Sequence, residues 1–237
     1  MTDCGVQVFD YRGAAQASIP GQVVVLYPDE AHDGRAGTTD GFGYRIIYVE
    51  PWRLSEALRT LCGRPSSLPF LRQPVLTNAP LSQAVQDAFQ YPLEPLAVDS
   101  LMVDLASGLM AGERHSGRPL AAPRVNVSVL ERARQFLDAE KTRVVHSTEL
   151  ESITGLTRYD LARQFKRLFG TSPYRYLLMR RLELARQQLH RKLPLIDVAY
   201  EVGFADQAHF SRAFKAAFGL TPSRYRALHA SQALSTS

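Results

Sequence analysis

The sequence contains only two cysteines, Cys4 and Cys62, among its 237 residues. Two thiols cannot build a disulfide framework or a four-ligand zinc site, so we expect a reducing, cytoplasmic setting. Apolar runs such as residues 23–27 are far shorter than the ~20 residues of a membrane helix. The first residues also lack the basic and apolar segments of a secretory signal. We therefore expect no membrane partner.

Sequence motifs of common enzymes are also missing. The chain has no G-x-S-x-G, no P-loop, no C-x-x-C and no H-x-H. Gly41-Phe42-Gly43 lacks the third glycine of a dinucleotide-binding loop. We therefore expect neither an enzyme nor a bound cofactor or metal. Hydrophobic residues at 45% and charged residues at 22% exclude disorder over most of the length.

Charge is divided unequally along the chain. Residues 1–120 hold 9 basic and 13 acidic residues, a net charge of −4, whereas residues 121–237 hold 19 and 10, a net charge of +9. A half-chain this basic is expected to meet a polyanion, and nucleic acid is the commonest one. From composition alone, an ordinary solvated surface remains an equal alternative.

The first sixty residues have the pattern of strands. Residues 6–11 alternate apolar and polar side chains, residues 23–27 are rich in β-branched side chains, and residues 44–49 follow a glycine-rich loop. Residues 14–19 are a weaker fourth candidate. Four strands are fewer than the roughly eight of a small barrel that encloses a ligand.

Helical periodicity begins at about Pro80. Asn78 is a suitable cap for a helix that extends to about Gln90. A second helix, about residues 95–111, is apolar over most of its surface. It either packs on its own β-domain or forms a dimer interface, and both interpretations remain open. Residues 112–124 have the composition of a linker.

The basic half contains an internal repeat. With an offset of 49 residues, eight positions between 163 and 176 are identical to their counterparts between 212 and 225. In each copy a helix ends at a glycine, and a Ser or Thr then caps a helix that starts with proline. A shorter helix, at about 148–154 or 195–202, precedes each of the longer ones, at about 158–169 and 206–218. Short helix, tight turn and longer helix is the helix-turn-helix arrangement.

The longer helices each combine an apolar arc with a polar one. At 100° per residue, the outward arcs are predicted to carry Tyr159, Arg163 and Lys166 in the first copy and Ala208, His209, Arg212 and Lys215 in the second. Tyr, Arg and Lys on one face suit a major groove. The helix between the copies would span ~27 Å, which compares with the ~34 Å between successive major-groove segments. One protomer could thus read two adjacent segments of double-stranded DNA.

Residues 125–228 resemble the AraC/XylS-type transcriptional regulators. The matching positions run from Arg181-Leu182 through Val198-Ala199 and Gly203-Phe204 to Thr221-Pro222. The resemblance implies seven helices, two helix-turn-helix units and RNA polymerase as a partner. It implies base or phosphate contacts at Arg158, Tyr159, Ala162 and Arg163 in the first unit, and at Gln207, His209, Ser211 and Arg212 in the second. Lys166 and Lys215 are expected to contact phosphates. Ala205 stands where many members have a Ser cap, so the second unit is expected to be the weaker reader.

Residues 5–60 resemble the cupin-like sensor domain of the same family, on Pro20-Gly21 and the stretch from Pro28 to His32. A histidine near this place is a metal ligand in metal cupins, but without an H-x-H we expect His32 to be a polar loop residue. The predicted fold class is α+β with two domains. A partial cupin-like barrel occupies residues 1–75, followed by a helical segment at 76–111, the linker at 112–124 and an all-α DNA-binding domain at 125–230.

These features predict a sequence-specific transcriptional regulator under the control of a small effector, and the sequence leaves open whether it is an activator or a repressor. A constitutive DNA-binding protein with a vestigial sensor and a metal-dependent cupin enzyme fused to a DNA reader are the alternatives. The hairpins that normally precede residues 7–13 are missing, so either the true start lies upstream or the sensor is shortened. The prediction that follows is that the 237-residue chain binds no small effector tightly and that its β-part is the less ordered half.

Overall fold

The structure, a computed structural model, describes residues 1–27, 30, 32–64, 66, 68–90, 93–113, 125–191 and 193–234. Its contacts divide the chain into two compact units. The first comprises Met1–Phe89 and Leu101–Ala122, and the second comprises Gln90–Ser100 and Pro123–Ser237. Residues 114–124 of the predicted linker, and Pro28, Asp29 and Ala31 of the cupin-like stretch, lie outside the described residues.

Short strands form the first part of the chain. They are β1 (Thr2–Gly5), β2 (Gln7–Tyr11), β3 (Ala14–Ser18), β4 (Val23–Val24), β5 (Arg35–Ala36), β6 (Phe42–Tyr44) and β7 (Val75–Leu76). They pair into three small sheets, β1-β6, β3-β2-β5 and β4-β7. The predicted strands at 6–11 and 14–19 are confirmed, whereas those at 23–27 and 44–49 are much shorter than predicted and β1 was not predicted.

The β2–β3 hairpin is closed by Arg12 and Gly13. Both have positive φ, 53° and 73°, and Tyr11 pairs directly with Ala14 across the turn. Two consecutive residues with positive φ form the turn whose twist matches that of the flanking strands. The Arg12-Gly13 pair therefore sets the register of the longest strand pairing in this unit.

Three helices follow or flank the strands, α1 (Pro51–Cys62), α2 (Ala79–Gln90) and α3 (Pro95–Glu113). The start of the helical region at about Pro80 was wrong, because α1 precedes it. The cap at Asn78 is confirmed, since Asn78 Oδ1 accepts a hydrogen bond from Leu81 N at 3.0 Å. Pro51 at the first position and apolar residues at spacings of three and four were the signal for α1 that the strand reading of 44–49 obscured.

Helix α3 contributes to both units. Its residues up to Ser100 belong to the second unit and those from Leu101 belong to the first. By length and composition, α3 is the helix among the described residues that could cross a membrane, and more than half of that stretch is buried inside the protein. The buried apolar residues of its second part are Leu101, Met102, Val103, Leu105, Ala106 and Met110. Packing within the protein therefore accounts for most of its apolar surface.

Seven helices make up residues 125–191 and 193–234, the number that the family resemblance implies. They are α4 (Val127–Ala139), α5 (Ser147–Thr154), α6 (Arg158–Phe169), α7 (Pro173–Gln188), α8 (Leu195–Glu201), α9 (Gln207–Phe218) and α10 (Pro222–Leu234). Their apolar faces meet in one core that includes Leu130, Leu161, Leu177, Val198 and Phe210.

The sequence repeat is also a repeat of packing. The rings of Phe165 and Phe169 lie 4.4 Å apart, and those of Phe214 and Phe218 lie 4.5 Å apart. Phe165 meets Tyr176 edge-on at 5.7 Å, and Phe214 meets Tyr225 edge-on at 5.5 Å. The two copies thus place corresponding side chains in corresponding contacts.

Candidate nucleic-acid interface

The first helix-turn-helix unit is α5, a turn at Gly155, and α6. Gly155 has a φ of 69° and its N–H donates to Glu151 O, which closes α5 in the left-handed conformation that glycine adopts most easily. Thr157 then caps α6 by accepting a hydrogen bond from Asp160 N. Glu151 Oε1 accepts a hydrogen bond from Arg158 N at 2.8 Å, which ties the start of α6 to α5.

The second unit is α8, a turn at Gly203, and α9. Gly203 has a φ of +89°, and a Cβ there would lie 2.8 Å from Thr142 C and 2.9 Å from Lys141 O. Glycine is therefore required both by the backbone conformation and by the neighbouring backbone. The expectation of an uncapped α9 was wrong, because Asp206 is the N-cap and its Oδ1 accepts from His209 N at 2.6 Å. This removes the reason for ranking the second unit as the weaker reader.

Helix α9 presents most of its predicted face to solvent. Gln207, Ala208, Arg212 and Lys215 are exposed, and Ser211 is partly exposed. The predicted outward orientation is therefore confirmed for Ala208, Arg212 and Lys215. Arg212 and Lys215 supply the positive charge of the face.

His209 does not share that face, and its predicted outward orientation is wrong. The residue is 1% exposed, and its ring meets that of Phe204 edge-on at 4.8 Å. Desolvation by burial lowers the pKa of His209 to about 4, and the nearby charge of Arg212 acts in the same direction, against Asp206. His209 is therefore a neutral residue of the core near neutral pH, where it packs between the turn and the first turn of α9.

Helix α6 exposes less of its predicted face. Lys166 is exposed, while Arg158 and Arg163 are only partly so. Tyr159 is 2% exposed and Ala162 is 4% exposed, so the outward orientation predicted for Tyr159 is wrong. Arg163 Nη2 donates to Asp160 Oδ1 at 3.0 Å. A helical wheel describes only the helix itself, and it cannot indicate which neighbours cover a given arc.

An arginine of the family signature is buried completely. Arg181 is 0% exposed and donates to Lys141 O at 2.9 Å, to Arg143 O at 2.8 Å and to Glu94 Oε1 at 2.7 Å. A buried charge needs such a full set of partners. The sequence offered one signal for it, an arginine among the apolar residues Leu177, Leu178, Leu182 and Ala185 on α7.

Two acidic side chains at or just before the start of α3 contact α5, α6 and α7. Asp99 accepts a hydrogen bond from Ser147 Oγ, and its Oδ1 lies 4.0 Å from Arg158 Nη1. Glu94, just before α3, forms the ion pair with Arg181. These contacts join residues far apart in the chain, so no local sequence pattern indicates them.

Within the described part of the chain, no three His, Cys, Asp or Glu side chains lie together in a way that could hold a metal ion. His32 is exposed, and its Nδ1 lies 3.0 Å from Glu30 O.

Comparison with known proteins agrees with this geometry. A family model described as an AraC-like ligand binding domain matches residues 1–102, and one described as a helix-turn-helix domain matches residues 150–228. The probable transcriptional regulator LumQ of Photobacterium leiognathi is 34% identical over 92 residues, which are 38% of this chain and 37% of LumQ. The uncharacterized HTH-type transcriptional regulator YbfI of Bacillus subtilis (strain 168) is 28% identical over 205 residues, which are 80% of this chain and 70% of YbfI.

Among solved structures, a transcriptional regulator from Chromobacterium violaceum, described as having an AraC-type DNA-binding domain, is 29% identical, with a TM-score of 0.40 over 43% of this chain and 91% of that one. The match to LumQ spans well under two thirds of the length of LumQ, at 37%. Both matched domains occur in this one polypeptide, with the ligand-binding domain before the helix-turn-helix domain. The two matched domains of this chain are those of the AraC-type transcriptional regulators.

Proposed function

We propose that this protein is a sequence-specific regulator of transcription that binds double-stranded DNA through α6 and α9, each in one of two adjacent major-groove segments. The observation that carries the proposal is the duplicated, capped helix-turn-helix unit in a half-chain of net charge +9. Folded helix-turn-helix units with basic outer faces have few uses other than DNA binding.

In the second unit, Arg212 is proposed to read base edges and Lys215 to contact phosphates. An arginine near the middle of a recognition helix can donate two hydrogen bonds to a guanine, whereas a lysine one turn further on reaches the backbone. Gln207 and Ser211 stand beside Arg212 on the same face and would complete the contacts. In the first helix-turn-helix unit, the corresponding roles are proposed for Arg158, Arg163 and Lys166.

The N-terminal part of the chain is proposed to bind a small effector, because residues 1–102 match a family model for a ligand-binding domain. Activation would then require contact with RNA polymerase. A homodimer and a cytoplasmic location belong to the same proposal. A constitutive DNA-binding protein is the second candidate. It is favoured by the strands of the first unit, which form three sheets of two or three strands each in the described residues rather than one closed barrel.

The test is selection of DNA by the full chain from a random-sequence duplex library, followed by gel-shift titration on the enriched duplex and on a scrambled one. We expect Arg212→Ala to lose about 1–3 kcal/mol on the enriched duplex and little on the scrambled one. Lys215→Ala should weaken both alike and flatten the salt dependence. The control is Arg186→Ala, which removes the same charge from α7, where Arg186 pairs with Glu183.

The proposal fails if the folded chain enriches no sequence and binds neither duplex at low salt. Equal losses for Arg186→Ala and Arg212→Ala would reduce the interaction to general charge attraction. Equal losses on both duplexes for Arg212→Ala would assign this arginine to the phosphates.

A further inference from the structure

A short acidic segment lies against the first helix-turn-helix unit. We call residues 94–100 the strap. It contains Glu94 and the first residues of α3. By its contacts it belongs to the same compact unit as the helices from α4 onward, although the rest of α3 and the segment before α4 separate it from them in sequence. Leu96, in the middle of the strap, is buried in the same core as Leu130 and Leu161. The strap is therefore docked on the helix-turn-helix unit rather than passing over it.

The two acids of the strap make different contacts. Glu94 Oε1 lies 2.7 Å from Arg181 Nη1, and this arginine is held in place by two backbone carbonyls. Asp99, itself only 6% exposed, accepts from Ser147 Oγ and pairs with Arg158 Nη1 at 4.0 Å. Glu94 thus anchors the strap at a buried charge, and Asp99 places a carboxylate on the first helix-turn-helix unit.

The groups around Asp99 are those that meet DNA phosphates in helix-turn-helix proteins. Ser147 is the first residue of α5, and the amino end of a helix favours negative charge. Arg158 is the first residue of the recognition helix α6. The first helix of such a unit crosses the DNA backbone, and helix amino ends and arginines supply its phosphate contacts. The Asp99 carboxylate therefore contacts groups of the kind that bind a backbone phosphate.

The second helix-turn-helix unit, α8 and α9, provides a comparison for these positions. With the offset of 49 residues, Arg158 and Tyr159 correspond to Gln207 and Ala208, whereas Ser147 and Leu195, the first residues of α5 and α8, are 48 residues apart. Gln207 and Ala208 are exposed and Leu195 is partly buried, whereas Ser147 and Tyr159 are buried and Arg158 is partly buried. In the first copy, Asp99 of the strap contacts both Ser147 and Arg158.

We propose that the strap is an autoinhibitory device in which Asp99 occupies the place of a DNA phosphate and keeps the first helix-turn-helix unit from DNA, while the second unit stays open. The inference rests on the proposed DNA binding. Helix α3 runs without interruption from the strap into Leu101 and the residues of the effector-binding part of the chain. Since a helix moves as a rigid rod, displacement of α3 in that part would withdraw Asp99 from Arg158.

The experiment compares the full chain with its Asp99→Asn variant on the duplex that each enriches from the random library. Asparagine keeps an oxygen that accepts from Ser147, so the fold is preserved, but it no longer competes as an anion for Arg158. We expect at least about fivefold tighter binding, the low end of coupling between linked sites. We also expect a nuclease footprint longer by about one helical turn, ~10 base pairs.

The matched control is Asp104→Asn, which removes the same charge from the same helix outside the strap, and it should leave affinity and footprint unchanged. In an Arg158→Ala background the gain from Asp99→Asn should shrink, because both substitutions act on one contact. Ser147→Ala is the second test variant. It removes the hydrogen-bond donor to Asp99 without altering charge, and it should also lengthen the footprint.

The inference is overturned if the unsubstituted chain already protects two groove segments. It is also overturned if Asp99→Asn binds no better than Asp104→Asn while Arg212→Ala still weakens binding. If neither the unsubstituted chain nor Asp99→Asn binds any duplex, the proposed function itself fails. The two failures are thus distinguishable within one set of titrations.

Discussion

Substitution of the turn glycine in the second helix-turn-helix unit should cost far more than the same change in the first. Gly203 and Gly155 occupy equivalent turns and have φ values of +89° and +69°. A Cβ at Gly155 would meet nothing within 4 Å, whereas at Gly203 it would lie 2.8 Å from Thr142 C and 2.9 Å from two carbonyl oxygens. Gly155→Ala is therefore a matched control that isolates the effect of backbone conformation.

The magnitudes follow from these two contributions. A left-handed conformation costs a non-glycine residue about 1–2 kcal/mol, and alanine recovers about 0.4–1 kcal/mol by restricting the unfolded chain. Gly155→Ala should thus lose about 0.5–1 kcal/mol of unfolding free energy. At Gly203 the neighbour is backbone that cannot rotate away, which adds about 1–3 kcal/mol of overpacking.

Urea unfolding followed by far-UV circular dichroism measures both variants against the unsubstituted chain, at constant slope with denaturant. Gly203→Ala should also weaken DNA binding, since the turn that orients α9 must shift, whereas Gly155→Ala should affect it less. Equal losses of stability in the two variants would refute the steric argument and leave the positive φ as the whole cost.

Three further outcomes are expected. The basic fragment 121–237 should bind DNA with an affinity that falls steeply with salt. It should also unfold more easily than the full chain, because Arg181 loses Glu94, its carboxylate partner. Equal stability of the fragment and the full chain in thermal melts would contradict this. The pKa of His209 is about 4 when folded against 6.5 otherwise, so the unfolded chain takes up the proton first and stability falls as pH drops from 6.5 towards 4. Between pH 7 and pH 5 the loss should be about 2 kcal/mol, and His209→Gln should reduce it in urea titrations at the two pH values. Thermal-shift and calorimetric titration of the 237-residue chain with small-molecule candidates should identify a ligand that raises its melting temperature by several degrees, as the proposed effector binding requires; if no ligand does so, the constitutive DNA-binding candidate is favoured.

The local features of the DNA-binding half were predictable because each depends on residues near one another in sequence. Gly170 and Gly219 end their helices as predicted, with φ values of 72° and 77°. Helix α6 begins and ends where the capping pattern places it. The repeat was visible as identities and returned as matching ring contacts. Short-range chemistry of caps, turns and periodicity determines such features, so the sequence pattern is sufficient for them.

Errors in the first part of the chain have a different source. Residues 44–49 have strand composition, but β6 ends at Tyr44, because a strand forms only where a partner strand lies beside it. Helix α1 begins at Pro51, a residue typical of the first helical position, but the predicted strand at 44–49 drew attention away from it. β-structure depends on distant partners, which a local pattern does not contain.

By itself the sequence determined the family, the double helix-turn-helix unit and the helix ends, since these rest on motifs and on neighbouring residues. Only the tertiary structure decided which of the predicted DNA-contacting side chains are accessible. It buried Tyr159 and His209, left Arg212 exposed, and joined Arg181 to Glu94, 87 residues away in the chain. The physical reason is that a helix's own periodicity defines its apolar and polar arcs, whereas the exposure of each arc depends on which distant segments pack against it.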